Sequence, residues 1–327
     1  MTAPVRQSRP RPDAATSMPS SAPSGRADDS ALRRRKARTG WLFTAPTLVV
    51  VALVTLFPVL YSVVTSFAKI RFTFGGMEIQ EWTLANYATM FSSSAWLDAL
   101  LFTLGYTLGT VAVEIVLGIA VAVLLERLEA GRGWILALLL IPWSLITVVS
   151  AQLWAYLYDA GYGAVTWLFG LVMDAPPVIL GKPVPAVAGL AVADIWKTTP
   201  FVAVIILAGL VKIPQERYEA AEMDGANAWT TFRLVVLPAL RPVIAVAVLF
   251  RVLQAFGIFD LPFVLTQGGP GTATQSLAIL GYKALFQDLN VGLGAAIATA
   301  TGALVAIGCL LFLRAFKMQV DEGGVGR

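Results

Sequence analysis

The sequence predicts an all-α, polytopic membrane protein of about six transmembrane helices, with a polar cytoplasmic loop between the fourth and the fifth. Three observations predict it. Of 327 residues, 57% are hydrophobic and 13% charged, against about 25% charged in soluble domains. Six apolar runs reach the roughly 20 residues that a helix needs to cross the hydrocarbon core. The lysines and arginines between those runs fall mostly on one side of the alternating path. Composition also narrows function. The chain has no histidine, and its one cysteine, Cys309, sits in an apolar run. Imidazole catalysis and a disulfide framework are therefore excluded, and a Cys/His metal site has almost no ligands to draw on.

Residues 1 to about 31 are rich in Pro, Ser, Ala and Arg. Such a segment cannot bury a core and is expected to be disordered. We read 1–40 as a basic cytoplasmic tail. Arg33-Arg34-Arg35-Lys36 and Arg38 stand just before Trp41. The apolar run that follows, 41–68, exceeds the roughly 7–15 residues of a signal-peptide core, so it reads as an uncleaved first span. The basic cluster then anchors the N-terminus in the cytoplasm. The net charge of +4 needs no nucleic-acid partner to explain it, and none is expected.

The remaining spans fall near 96–125, 134–158, 186–211, 242–265 and 291–316, giving a membrane domain over 41–317 and a short cytoplasmic tail over 318–327. Glu126 to Gly133 make a short turn. Pro176, Pro177 and Pro183 punctuate the loop after the third span, and Gln267-Gly268-Gly269-Pro270-Gly271 opens the loop before the sixth. On this path Arg33–Arg38, Arg127, Arg132, Lys212, Arg217, Arg233, Arg241, Arg314 and Lys317 lie on one side. Lys69, Arg71, Lys182 and Lys283 lie on the other. The asymmetry puts both termini and the loop around Glu219 in the cytoplasm.

That loop is a charged island, with Gln215, Glu216, Arg217, Glu219, Glu222, Asp224, Asn227 and Arg233 between two spans. Nothing so polar lies in hydrocarbon, where each unmet polar group costs several kcal/mol. Its grammar is a short helix, a turn and a second short helix. Pro214 suits a first helical position. The small pair Ala220-Ala221 lets another surface approach, and Gly225 suits a terminating residue with positive φ. Trp229, Phe232 and Val236 recur at helical spacing up to Pro238.

The run Ile213-Pro214, Tyr218-Glu219-Ala220-Ala221, Asp224-Gly225-Ala226 and Val235, Leu237-Pro238 resembles the EAA loop of binding-protein-dependent ABC importer permeases, in the carbohydrate branch of maltose and glycerol-phosphate type. Val235 stands where that family prefers isoleucine. Further marks resemble the same family: Leu84-Ala85-Asn86-Tyr87, Trp196 to Phe201, Leu207 to Leu210, Phe259-Asp260 and Leu265 to Pro270, with Gln267 where the family usually has glycine. The resemblance implies a permease subunit whose Glu219, Ala220, Ala221, Met223, Asp224 and Gly225 form a coupling helix against an ATPase subunit. It implies a second permease subunit, two ATPase subunits and an extracytoplasmic sugar-binding protein as partners, in a plasma membrane with its lipid. The substrate it implies is a sugar, such as the disaccharides trehalose or maltose. No cofactor is expected on this chain; ATP and Mg would sit on the ATPase subunits.

In keeping with that division of labour, the sequence has no G-x-x-x-x-G-K-[ST] nucleotide loop and no nucleophile motif, so the chain is not read as an enzyme. Inside the spans lie Glu114, Asp194, Lys197, Arg251 and Asp260, with Gln152 and Gln254. Intramembrane polar residues face a cavity or a partner charge. Asp194 and Lys197, three apart, are expected to pair with each other. Arg251, counted from Pro242 at 1.5 Å per residue, falls roughly 13–14 Å into its span, near mid-bilayer. Arg251, Gln254, Asp260, Glu114 and Gln152 are the candidates for a substrate path. An Arg251–Glu114 pair that only locks helices is the competing reading. The aromatics Trp154, Tyr156, Phe256 and Phe259 are candidates for stacking on sugar rings, with core packing as the alternative. An ion-coupled secondary transporter is the rival function, and it predicts inverted repeats and discontinuous helices. Topology is directly testable: with Cys309 removed, cysteines at Ala27 and Glu222 are expected to resist an impermeant thiol reagent in intact cells, and labelling of either from outside would overturn the orientation.

Overall fold

The structure, a computed structural model, describes residues 26–73, 76–128 and 130–324. Two compact units emerge, residues 1–58 and 59–327. The first holds helix α1 (Arg26–Val51), a π turn (Ala52–Leu56) and the start of α2 (Phe57–Ser66). Most of the expected disordered tail, residues 1–25, lies outside the described residues; α1 begins at Arg26, well before the expected 41. The π turn has a local cause. Pro58 lacks an N–H and its ring crowds the carbonyl of Val54, inside that turn, so the backbone widens by one residue there. The same arrangement recurs at Phe232–Val236, ahead of Pro238.

The second unit continues with a β-hairpin, β1 (Ala68–Thr73) and β2 (Gly76–Trp82), antiparallel with Ala68 opposite Trp82 and a register shift between Lys69 and Ile70. Helices α3 (Ala85–Ser92), α4 (Ser94–Glu126), α5 (Arg132–Ser144), α6 (Thr147–Leu157) and α7 (Ala164–Gly170) follow. Then come α8 (Pro183–Leu210), α9 (Gln215–Met223), α10 (Ala228–Thr231), α11 (Leu237–Phe256), α12 (Asp260–Leu265), α13 (Leu277–Tyr282) and α14 (Val291–Gly324). The all-α expectation holds for the spans, and the hairpin is its one exception among the described residues.

By length and apolarity, Thr39–Ser66, Ser94–Glu126, Pro183–Leu210, Ala228–Leu265 and Val291–Phe316 each suffice to cross a bilayer. The stretch expected as a single third span is instead α5 and α6, bent by 89°. Leu145 and Ile146, at ψ 139° and 134°, are extended at the break. Pro142 has already removed one hydrogen bond from the last turn of α5, which eases the helix's end there. Ala228–Leu265 also departs from expectation, because the second short helix of the polar loop runs straight on into the fifth span. Arg251 therefore lies deeper into a longer helical run than a start at Pro242 gives.

Two apolar clusters pack on α4 and α8, one completed by α11 and the other by α6 and α12. One gathers Ala122, Leu125, Val202, Ile206, Leu210, Leu240 and Ala247. The other gathers Tyr106, Ala151, Tyr158, Leu190, Ala193, Leu261 and Leu265. In sequence, Glu114, Asp194 and Arg251 each fall between a residue of one cluster and a residue of the other. A polar layer is thus enclosed by apolar packing above and below. Near the hairpin, the Leu-Ala-Asn-Tyr motif is a tether: Asn86 Nδ2 donates to the carbonyls of Ser66 and Ala68 at 2.9 and 3.0 Å, and Tyr87 Oη lies 2.7 Å from Ser66 Oγ.

Helices α4 and α8 pack closely at Gly118, where an added Cβ would stand 2.5 Å from Val202 Cγ1 and 3.3 Å from the Ala203 backbone nitrogen. A side chain there must push the helices apart. Gly118→Leu is expected to destabilise the purified protein by roughly 1–3 kcal/mol or more, the usual cost of overpacking, read as a lower melting temperature. Gly105→Ala, whose Cβ would meet nothing within 4 Å, should leave it unchanged.

Candidate functional site

Five of the polar residues singled out in the sequence converge on one place. A cavity of about 270 Å³ is lined by Trp143, Thr147, Asp194, Lys197, Thr198, Arg251, Gln254, Gly257, Phe259 and Asp260, among others. Trp143 and Thr147 flank the 89° break between α5 and α6; Gly257 and Phe259 occupy the break between α11 and α12. Irregular backbone at this depth is tolerable where it lines a polar cavity rather than lipid.

Arg251 anchors the site and is 2% exposed. Its guanidinium makes a two-point pair with Glu114, through Nε to Oε2 and through Nη2 to Oε1 at 2.7 Å. Nη2 also reaches Asp194 Oδ2 at 3.3 Å, and Nη1 donates to Gln254 Oε1 at 3.0 Å. A guanidinium has five N–H groups, so these contacts leave one, on Nη1, for the cavity. The carboxylates are satisfied in turn. Thr198 Oγ1 donates to Glu114 Oε1 at 2.7 Å, and Tyr106 Oη donates to Asp194 Oδ2 at 3.2 Å. The Arg251–Glu114 pair anticipated from sequence is therefore present, joining α11 to α4.

Asp194 and Lys197 do not pair as expected. Asp194 turns to Arg251, whereas Lys197 Nζ donates to the Trp143 carbonyl at 3.4 Å. The physical reason is competition: a bidentate-capable guanidinium across the bundle outbids an ammonium on the same helix. Asp260 lies exposed at the cavity wall, and Gln152 lies exposed on α6, away from it. Phe259 lines the cavity, whereas Phe256 and Trp154 belong to packed apolar clusters and Tyr156 is exposed. The remaining free donors are two hydrogens on the Gln254 amide nitrogen, those left on Lys197, and one on Arg251. Asp194 Oδ1 and the Asp260 carboxylate are the acceptors.

At the opposite end of α8, residues 211–214 lead directly into α9. Pro214 is the N-cap rather than the first helical residue. The C-terminus closes in a Schellman motif: Ala226 N donates to Ala221 O and Gly225 N to Glu222 O, both at 2.9 Å, with Gly225 at φ 73° as expected. Ala221 packs inward, so the small pair divides, and Ala220 alone of the two faces out. Glu219, Asp224 and Gly225 are exposed, Met223 is 89% exposed and Trp229 69%. Tyr218 Oη donates to Glu126 Oε1 at 3.4 Å, and burial, then the carboxylate, pushes the phenol's pKa up. That contact puts the α4–α5 turn and the polar loop at one end, as the charge distribution requires. Gln267, where the resembled family has glycine, adopts φ 51°, the left-handed region that favours glycine.

Residues 82–320 match the family described as binding-protein-dependent transport system inner membrane component. The chain is 35% identical over 300 residues to a trehalose/maltose transport system permease protein, MalF, of Thermococcus litoralis, covering 89% of this chain and 98% of that one. It is 36% identical over 291 residues to the trehalose transport system permease protein SugA of Mycobacterium tuberculosis, covering 89% and 92%. It is 34% identical to the sulfoquinovosyl glycerol transport system permease protein SmoG of Agrobacterium fabrum, covering 85% and 90%. In fold it is similar to a chain from the crystal structure of a bacterial ABC transporter involved in the import of the acidic polysaccharide alginate, with TM-score 0.73, 19% identity and coverage of 87% and 98%.

The charge cluster yields its own test. Glu114→Ala leaves a buried guanidinium short of its main partner and is expected to cost about 3–5 kcal/mol. Asp194→Asn, which keeps an acceptor for Arg251, should cost less. Thermal unfolding of the purified protein ranks the two, and the charge exchange Arg251→Glu with Glu114→Arg should recover part of the loss.

Proposed function

The chain belongs to the family of binding-protein-dependent transport system inner membrane components, and from that premise we propose that it is one of two permease subunits of an ATP-driven sugar importer. The family membership counts against the ion-coupled secondary transporter, even though the broken α5–α6 pair is a feature that such a transporter would also carry. Its partners on this reading are the second permease subunit, two ATPase subunits that hold ATP and Mg, and an extracytoplasmic sugar-binding protein. The protein is multi-pass, with the N-terminus and α9 in the cytoplasm.

The observation that carries the reading is the course of α8. The same helix presents Asp194 and Lys197 to the cavity and then passes, through residues 211–214, into exposed α9. No long linker intervenes to absorb a displacement. ATP binding closes the ATPase pair, α9 moves with the surface it sits on, and α8 carries that motion to the cavity. Glu219, Ala220, Met223, Asp224 and Gly225 form the contact face, with Ala221 holding α9 to the bundle from behind.

Arg251, Gln254 and Asp260 are the residues we place on the substrate path. Glu114 acts behind Arg251 by fixing it. Gln152, which does not line the cavity, is left out of that path. The relatives' names support a glycoside as substrate, and the chemistry of the cavity favours an uncharged one such as trehalose or maltose. Lys197 and Arg251 are matched there by Glu114 and Asp194, so no excess positive charge awaits an acidic sugar, while the spare donors suit hydroxyl oxygens.

Two substitutions test the coupling. Valine at Gly225 meets the left-handed penalty of roughly 1–2 kcal/mol for residues with a Cβ, and Glu219→Lys reverses a charge on the contact face. Both are expected to cut uptake of radiolabelled trehalose and maltose at least about tenfold, about 1.4 kcal/mol of coupling, with membrane insertion unchanged. Wild-type uptake by both would refute the assignment, and full transport by Arg251→Ala with Gln254→Ala would refute the path.

A further inference from the structure

Arg251 is held unequally by its two carboxylates. Glu114 grips it at two points, whereas Asp194 makes one contact, at 3.3 Å. Glu114 is also bound to α8 through the 2.7 Å hydrogen bond from Thr198. Among the described residues, Asp194–Arg251 is the ion pair that joins α8 to α11, and it is the weakest link of the cluster.

One turn along α8, on the same face, is Lys197. It is 8% exposed and lines the same cavity. Among the described residues no carboxylate lies within 4.0 Å of its ammonium, and its one hydrogen bond is the 3.4 Å contact to the Trp143 carbonyl. Trp143 is in the last turn of α5, where carbonyls lack intrahelical partners and the helix dipole attracts a cation. Lys197 is thus parked on the broken end of α5, three residues from a carboxylate that it could reach.

We propose that Lys197 is the alternate partner of Asp194. As the cavity opens and α8 parts from α11, the Asp194 carboxylate leaves Arg251 for Lys197, while Arg251 stays with Glu114. The inference rests on the reading of the chain as a permease whose cavity opens and closes. Its warrant is electrostatic. A buried carboxylate stripped of its only cation costs several kcal/mol, which would oppose opening. A lysine one turn away removes that cost. Lysine suits the task because its ammonium turns freely on a flexible stem, while a guanidinium favours fixed fork geometry. In the observed state Arg251 serves both carboxylates and Lys197 caps a helix end; in the other each carboxylate has its own cation, and neither state holds an isolated buried charge.

The test uses the full transporter purified with its ATPase subunits, with Cys309 replaced by serine. Phe201 on α8 and Phe250 on α11 meet with ring centroids 6.4 Å apart, so cysteines there, joined by a short bifunctional reagent, report whether the helices part. In the otherwise unsubstituted chain, a non-hydrolysable ATP analogue is expected to reduce crosslinking. In Lys197→Met, crosslinking and melting temperature without nucleotide should match the unsubstituted chain, because Asp194 still has Arg251. The nucleotide-induced release should then require about tenfold more analogue. Adding Asp194→Asn to Lys197→Met removes the stranded charge and should restore release to near the original concentration. Equal release with and without Lys197, or a double variant no better than the single, overturns the exchange while leaving the permease reading standing. Crosslinking that nucleotide never changes, even with Lys197 present, overturns both. Since no sugar enters the measurement, the identity of the substrate does not bear on it.

Discussion

The buried guanidinium of Arg251 sets the terms for the rest of the structure. A charge removed from water must be matched and hydrogen-bonded, or it opposes folding by several kcal/mol. Here the matching groups come from two other helices, Glu114 on α4 and Asp194 on α8, with Thr198 and Tyr106 completing the carboxylates' contacts. Three helices are therefore fixed in one register by one side chain. Apolar packing alone tolerates sliding; a two-point ion pair does not. The apolar clusters to either side supply bulk stability and keep water from the pair, and the cluster between them supplies specificity.

The same constraint explains where the cavity is. Once Glu114 and Asp194 have neutralised Arg251, the groups left over face the space between α5, α8, α11 and α12. Both helix breaks that border that space, at Leu145–Ile146 and at Gly257, leave backbone groups without intrahelical partners. Those groups are affordable beside a polar cavity and untenable against lipid. The breaks and the charges therefore belong together, and neither would survive in the membrane without the other.

Much of this was legible in the sequence, and the reasons differ by element. Span positions follow from the length of apolar runs, a constraint that the bilayer imposes on any chain. The α9 loop was legible because charge cannot lie in hydrocarbon, and its end because Gly225 meets a conformational demand that other residues resist. The Arg251–Glu114 pair was legible by elimination, since few intramembrane carboxylates were on offer. The break between α5 and α6 was not, because Leu145 and Ile146 are as apolar as the helices beside them and hydropathy is blind to backbone direction. The partner of Asp194 is hidden for a related reason: spacing along one helix reveals local neighbours such as Lys197, whereas Arg251 stands 57 positions away. The hairpin leaves no such signal, because its strands are short and exposed along β2, so no buried face imposes a clear alternation. Gln152 is marked only by its polarity, and polarity does not say which side of a helix faces the bundle.

What remains is how a surface event reaches a cavity deep in the bundle. The α9 helix is locally rigid: its C-terminus is closed by two 2.9 Å backbone hydrogen bonds, its inner side is seated by Ala221, and Tyr218 ties it to the end of α4. A rigid end piece transmits displacement only if the shaft above it is also stiff. The shaft here is α8, continuous over Pro183–Leu210 although it contains Pro200. That proline lies between the charge cluster and α9, in the turn directly after Thr198. It removes one hydrogen bond from the helix, one turn from the carboxylate contacts, yet the helix runs on unbroken through it to Leu210. Motion from α9 therefore reaches the charge cluster, where the single Asp194–Arg251 contact at 3.3 Å gives way more easily than the two-point Arg251–Glu114 pair.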